Sequence, residues 1–186
     1  KQEFYSCGSK RSVQFIMAQK FGSRGVKRDP FEDAAVPVGG AGAGQSLAGL
    51  LRAARARGVL PLANRGLEEA PPEMFALADH LDEGEKFWEV VDLTRADLSH
   101  NRLTCLPPAV GNLTFLQSLT LRGNRLAALP EALWDCAALT ALDLASNELA
   151  ELGPGVGRLG ALRELLLGGN RLRALPCPAL GRLPAL

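Results

Sequence analysis

Residues 116–129 read LQSLTLRGNRLAAL, and the same arrangement of leucines around an asparagine occurs three more times in the chain. Successive asparagines lie 23 residues apart, since 124 − 101, 147 − 124 and 170 − 147 are equal: Asn101, Asn124, Asn147 and Asn170. Counted from each asparagine, positions −8, −5, −3, +2 and +5 hold leucine, except that Ala96 stands at −5 of the first repeat. A pattern that stays in register over four cycles indicates a repeated structural unit.

The repeat combines two local patterns, a short strand and an inward turn. In residues 118–122, leucine alternates with other residues, so the leucines point to one face of a strand and the residues between them to the other. One such unit cannot bury its leucines by itself, but stacked units share a continuous core. Where the chain turns inward, an asparagine amide can both donate to and accept from buried backbone groups. We therefore expect an α/β solenoid with a parallel sheet on its concave side and an asparagine ladder.

Charge is distributed unevenly along the 186 residues, although the formal net charge is only +1. Residues 1–45 carry seven Lys/Arg and four Asp/Glu, residues 46–58 add three arginines, and the remainder has eleven basic and sixteen acidic side chains. The repeats are therefore mildly acidic, which argues against a phosphate-binding face. The four cysteines are scattered without a C-x-x-C pair, which favours reduced thiols and a cytoplasmic protein: Cys7, Cys105, Cys136 and Cys177. No apolar run is long enough to span a bilayer.

We expect four segments along the chain. Residues 1–45 are predicted to be a disordered, low-complexity leader, and residues 46–71 to hold a capping helix and a degenerate first repeat with Arg65 at the asparagine position. In the helix, Ser46 is the expected N-cap and Gly58 the stop, with Arg52 and Arg55 on the polar face. Residues 72–92 are predicted to be an insertion whose Phe87 and Trp88 cover a seam between coils or bind a partner. Residues 93–186 then hold four repeats and the start of a truncated fifth.

Two glycine-rich stretches mimic nucleotide-binding motifs. Gly39-x4-Gly44-Gln45-Ser46 has glutamine where a phosphate-binding loop needs lysine, and Pro37 interrupts the strand that should precede it. Gly155-x-Gly157-x-x-Gly160 matches a dinucleotide fingerprint but falls on the convex turn of a repeat rather than between a strand and a helix. We therefore expect no cofactor.

The 23-residue pattern, with proline after the +5 leucine, resembles the Ras-group leucine-rich repeats of intracellular scaffolds. Residues 50–67 (LLRAARARGVLPLANRGL) and 84–93 (GEKFWEVVDL) are similar to the amino-terminal region of the leucine-rich repeat-containing protein 40 family, in particular its plant and algal members. That resemblance implies a cytoplasmic, non-catalytic protein that binds another protein, with a small GTPase or a signalling complex as the expected class of partner.

Residues that alternate with the strand leucines are the candidates for such binding, because they face away from the core. They form mixed-charge columns that suit hydrogen bonds and ion pairs with a protein surface. The candidate protein-binding residues are Arg95, Asp97, Ser118, Thr120, Arg122, Asp143, Glu164 and Leu166. Ser99, Ala141, Ala145 and Gly168 complete the columns.

The sequence gives less support to two other function classes, catalysis and nucleic-acid binding. His80 and His100 have no serine, cysteine or paired carboxylate at a motif spacing, so no catalytic residue and no metal-ligand cluster is predicted. The chain could still be the targeting arm of an enzyme whose catalytic domain lies beyond Leu186. Nucleic-acid binding through Arg52, Arg55, Arg57 and the leader lacks interleaved aromatic residues and is opposed by the acidic repeats.

Overall fold

The computed structural model describes residues 46–77, 79, 86, 90–181 and 183. Among these residues, five strands form one sheet in the order β1-β2-β3-β4-β5, with every pair parallel. The strands are β1 Val59–Pro61, β2 Arg95–Asp97, β3 Ser118–Thr120, β4 Ala141–Asp143 and β5 Glu164–Leu166. We number the coils 1 to 5 after these strands. The prediction of an α/β solenoid with a parallel sheet is confirmed.

Sheet register follows the sequence period. Leu119 pairs with Leu142 and Leu142 with Leu165, so the partners in coils 3 to 5 are offset by one repeat. Leu60 pairs with Ala96, so the larger offset between coils 1 and 2 is absorbed outside the strands. The degenerate first repeat is therefore a full coil of the sheet.

Helix α1, Leu47–Arg57, packs on coil 1 and begins and ends at the expected residues. The Ser46 side chain accepts a hydrogen bond from the Gly49 N–H at 3.2 Å, and Gly58 ends the helix at φ 67°. Leu50, Leu51 and Ala54 are buried, as the periodicity predicts. Our assignment of Arg55 to the polar face is wrong, because its side chain is only 6% exposed. Long apolar stems let arginine enter a core face, and hydrophobic periodicity does not register this.

The convex side of the coils consists of short 3-10 turns: Pro72–Phe75, Pro108–Asn112, Glu131–Asp135 and Pro154–Arg158. Each begins beside a proline, which fixes φ and needs no hydrogen-bond acceptor. Pro72–Phe75 occupies the convex position of coil 1 and buries Met74 and Phe75, so the extra residues before β2 follow this turn rather than begin at Pro72. In coil 5 the equivalent element is a short α-helix, α2, Cys177–Leu180. The leader and Phe87–Trp88 lie outside the described residues.

Asparagine side chains connect each coil to the one before it. The Asn124 Oδ1 accepts from the Leu103 N–H at 3.1 Å, and its Nδ2 donates to the carbonyls of Leu98 at 3.0 Å and Leu121 at 2.8 Å. Asn147 and Asn170 repeat these contacts one coil further on. Asn101 serves coil 1 in the same way, accepting from the N–H groups of Arg65 and Leu67. Every contact satisfies a backbone group at the inward turn, where water is excluded.

The residue before the asparagine position has a left-handed backbone in all five coils. Its φ lies between 53° and 73° at Asn64, His100, Gly123, Ser146 and Gly169. This conformation turns the chain from the strand into the core, and it is cheapest for glycine or asparagine. A Cβ on Gly123 would lie 2.7 Å from the His100 Nδ1, so the glycine makes room for that histidine ring. His100 is therefore a turn residue packed on the next coil.

We expect Asn147→Ala to lower the free energy of unfolding by at least about 2 kcal/mol, because it leaves the Leu126 N–H and two carbonyls buried without partners. Asn112→Ala is the matched control, since Asn112 is exposed at the end of a 3-10 turn, and should change stability by no more than about 0.5 kcal/mol. Urea unfolding of both variants measures the difference, and equal losses would contradict the role given to the ladder.

Candidate functional site

The candidate site is the sheet face that points away from the core, called here the concave face. It consists of three columns of side chains at positions −6, −4 and −2, and coil 1 contributes Val59, Pro61 and Ala63 at one end. The register places each member beside its equivalent in the next coil, at a strand spacing of about 4.8 Å. Residues far apart in sequence therefore form one continuous surface.

Seven of the eight predicted binding residues present atoms on this face that the fold does not bury. Arg95 and Arg122 are exposed, and the remaining five are half-buried: Asp97, Ser118, Thr120, Glu164 and Leu166. The neighbouring positions of coils 4 and 5 are small, with Ala141, Ala145 and Gly168. The surface thus changes from large basic side chains at coils 2 and 3 to a shallow, more apolar area at coils 4 and 5.

The two predicted aspartates have structural contacts. The Asp97 carboxylate accepts from the Ser99 N–H at 2.9 Å, and the Asp143 carboxylate accepts from the Ala145 N–H at 2.8 Å. Asp143 is only 3% exposed and Ser99 only 8%, so the expectation that they face a partner is corrected. A short aspartate side chain readily bonds the backbone two residues on. Position in the repeat gives the direction of a side chain but does not reveal this competing contact.

Arg102 and Arg125 are exposed residues that the column analysis missed. Each directly follows a ladder asparagine, on the turn where a strand has ended. The Arg125 N–H donates to the Leu103 carbonyl at 2.9 Å, which holds the two turns side by side. Arginine recurs at position +1 in two neighbouring repeats, and this recurrence is the sequence pattern that indicates both residues.

No described residues form a group of three or more His, Cys, Asp or Glu that could hold a metal ion. In the same part of the chain, no helix is long and apolar enough to cross a membrane. Cys105 is an exposed free thiol, whereas Cys136 is buried and donates from Sγ to the Val110 carbonyl at 3.3 Å. Burial, with a smaller contribution from the Asp135 carboxylate, raises the pKa of the Cys136 thiol to about 11. Cys136 therefore belongs to the core, as its place in the repeat indicates.

Packing accounts for Gly155 in the dinucleotide-like motif. Trp134, on the convex turn of coil 3, is 2% exposed, and a Cβ on Gly155 would meet its Cδ1. A Cβ on Gly157 would lie 2.8 Å from the Ala179 carbonyl oxygen, while Gly160 has open space around it. The stretch 39–45 of the other glycine-rich motif lies outside the described residues, and Ser46 caps α1.

Comparison with known proteins identifies the repeats. The family profile described as "Leucine rich repeat" matches residues 91–149. The chain carries leucine-rich repeats. A solved structure of a leucine-rich repeat protein from Leptospira interrogans is similar over 76% of this chain, with 31% sequence identity and a TM-score of 0.58. This chain spans 38% of the length of that protein. In all, 178 chains of solved structures match this chain. A fold shared so widely does not by itself specify a partner.

We expect Gly155→Ala to destabilise the chain by about 1–3 kcal/mol, since the added methyl group overlaps the Trp134 ring. Gly160→Ala, in the same turn region, is the control and should be neutral or slightly stabilising. Thermal unfolding of both variants in wild-type and Trp134→Leu backgrounds measures the coupling. A Gly155→Ala cost that does not shrink in the Trp134→Leu background would contradict this packing.

Proposed function

We propose that these leucine-rich repeats bind a partner protein on the concave face and act without catalysis. Leucine-rich repeats generally mediate protein–protein interaction, which is the coarse function that the family match supports. The observation that carries the proposal is that the Arg95 and Arg122 side chains are available for binding. Both are exposed on the concave face, and among the described residues neither has a recorded ion pair or side-chain hydrogen bond.

Exposed charge on a rigid sheet suits recognition, because the backbone that carries it is fixed before the partner arrives. The asparagine ladder and the strand hydrogen bonds hold the concave columns at constant spacing. Thr120 and Ser118 add hydroxyl groups that can donate and accept, and Leu166 adds apolar area at the coil 5 end. This mixture fits a polar protein surface better than a small molecule, which prefers an enclosed pocket.

The finer assignment that we propose is an intracellular scaffold of the leucine-rich repeat-containing protein 40 type, with a small GTPase or a signalling complex as partner. The sequence of residues 50–67 and the free thiols Cys105 and Cys136 support a cytoplasmic setting. A targeting arm of an enzyme would use the same face, so the binding experiment serves both readings.

The test is capture of partners from a lysate of the source organism, followed by quantitative mass spectrometry, with matched tyrosine variants. Ala141→Tyr fills the small area of the concave face, while Ala128→Tyr adds the same ring at an exposed position outside the sheet. We expect the concave variant to lose at least about tenfold of a specific partner, because a misplaced ring prevents close contact. The control should retain the partner.

Two results would contradict the proposal. Partners that bind both tyrosine variants like wild type would exclude the concave face as the binding surface. Partners lost equally from both variants would point to a general effect on the fold, and circular dichroism of each variant identifies that case.

A further inference from the structure

Charge is segregated along the repeats in a way that the overall balance conceals. Residues 93–130, which contain β2 and β3, hold four arginines and one aspartate. Residues 131–157 hold five acidic side chains and no basic one. Residues 93–186 together hold nine basic and seven acidic side chains, so the acidic balance counted from residue 59 comes from residues 68–92, and our expectation of acidic repeats is wrong. Within the repeats, positive charge is concentrated in residues 93–130.

Arginines engage acidic groups of the preceding coil: Arg158 of coil 4 contacts coil 3, and Arg171 of coil 5 contacts coil 4. Arg158 contacts the Glu131 and Asp135 carboxylates, each at 3.3 Å, and Arg171 contacts the Glu148 carboxylate at 3.0 Å. Asp143 is buried and bonded to the backbone. These contacts engage four of the five acidic side chains of residues 131–157, so little of that charge is left to neutralise the arginines of coils 2 and 3.

Four arginines of coils 2 and 3 form what we call the basic patch: Arg95, Arg102, Arg122 and Arg125. All are exposed, and within the described part of the chain none has a recorded ion pair or side-chain hydrogen bond. The one aspartate between them, Asp97, accepts from the Ser99 N–H instead. Unlike Arg158 and Arg171, these four keep their hydrogen-bond donors available.

Backbone contacts place Arg102, Arg122 and Arg125 of the basic patch on two adjoining turns, while Arg95 lies at the start of β2. The His100 N–H donates to the Arg122 carbonyl at 2.7 Å, and the Arg125 N–H donates to the Leu103 carbonyl. Arg102 and Arg125 hold equivalent positions in neighbouring coils, so their backbones lie about 5 Å apart. Guanidinium groups at this spacing can bind neighbouring carboxylates in bidentate fashion. Like charges brought so close also repel each other, which an acidic partner relieves.

Resting on the proposed function, we infer that the partner presents an extended acidic segment, whose carboxylates bind the basic patch and whose following apolar residues lie on coils 4 and 5. Ala141, Ala145 and Leu166 supply that second area, where small side chains let a peptide approach the sheet. The patch covers only two coils, so a long polyphosphate chain would find few cations beyond it, and the concave columns offer no aromatic side chain for base stacking.

The test measures fluorescence anisotropy of a labelled peptide in which a run of glutamates precedes Leu-Ala-Leu, with the full chain. Arg102→Glu/Arg125→Glu removes patch charges outside the concave columns and leaves the core intact. Arg173→Glu is the control, since Arg173 is an exposed arginine on a turn of coil 5. We expect the double variant to weaken binding about tenfold at low salt and less at high salt, because salt screens exposed charges. The control should stay within about twofold.

Three outcomes would overturn the inference: equal weakening by the control, no binding of the peptide by wild type, or tighter binding of a single-stranded DNA oligonucleotide through the same arginines. Its failure is distinguishable from failure of the proposed function. If Ala141→Tyr loses the captured partner but Arg102→Glu/Arg125→Glu keeps it, the concave face binds the partner and the inference of an acidic segment is wrong. If neither variant loses a partner, the proposed function fails as well.

Discussion

The rest of this structure depends on how the backbone is satisfied where each coil turns inward. At that point N–H and C=O groups enter a core filled with leucine, and leaving one unpaired costs about 1–3 kcal/mol. One asparagine side chain per coil bonds its own coil and the preceding one, as Asn124 does with Leu121, Leu98 and Leu103. Each coil is therefore completed by its neighbour, which explains why the repeat has to be stacked.

This constraint also determines which residues are available for function. The leucines belong to the core, the asparagines to the ladder, and the residue before each asparagine to a left-handed turn. Positions −6, −4 and −2 and the residue after the asparagine have no such structural role in the repeat pattern, although Asp97 and Asp143 at −4 bond the backbone. Where they carry arginine, as at Arg95, Arg122, Arg102 and Arg125, the charge lies on a surface of fixed geometry. Binding then requires little ordering of the backbone.

The sequence was sufficient for the strands and their register, because leucine alternation and a constant period leave one way to stack the coils. It was also sufficient for the ends of α1, since Ser46 and Gly58 have local chemistry that requires no distant partner. It failed where a side chain had two possible environments. Arg55 enters the core face, and Asp143 bonds the Ala145 N–H instead of facing a partner. Both outcomes depend on packing and on competing contacts, neither of which the repeat pattern encodes.

For the site, the repeat pattern predicted the direction of the concave side chains but not their availability. Ion pairing between neighbouring coils, through Arg158 and Arg171, is a property of turns brought together by the fold. Only the structure shows that the four arginines of coils 2 and 3 have no such pair among the described residues and lie on adjoining coils. Glycines such as Gly155 show the same dependence, since Trp134 of the preceding coil determines their role.

The central claim is that the concave face is where a partner binds, and photo-crosslinking tests it most directly. Benzoylphenylalanine placed at Thr120, on the concave face, is compared with the same group at Ala137, an exposed residue outside the sheet. After irradiation in lysate, the account predicts a defined crosslinked product from position 120 and none from position 137. A specific product from position 137 with none from position 120 would contradict it.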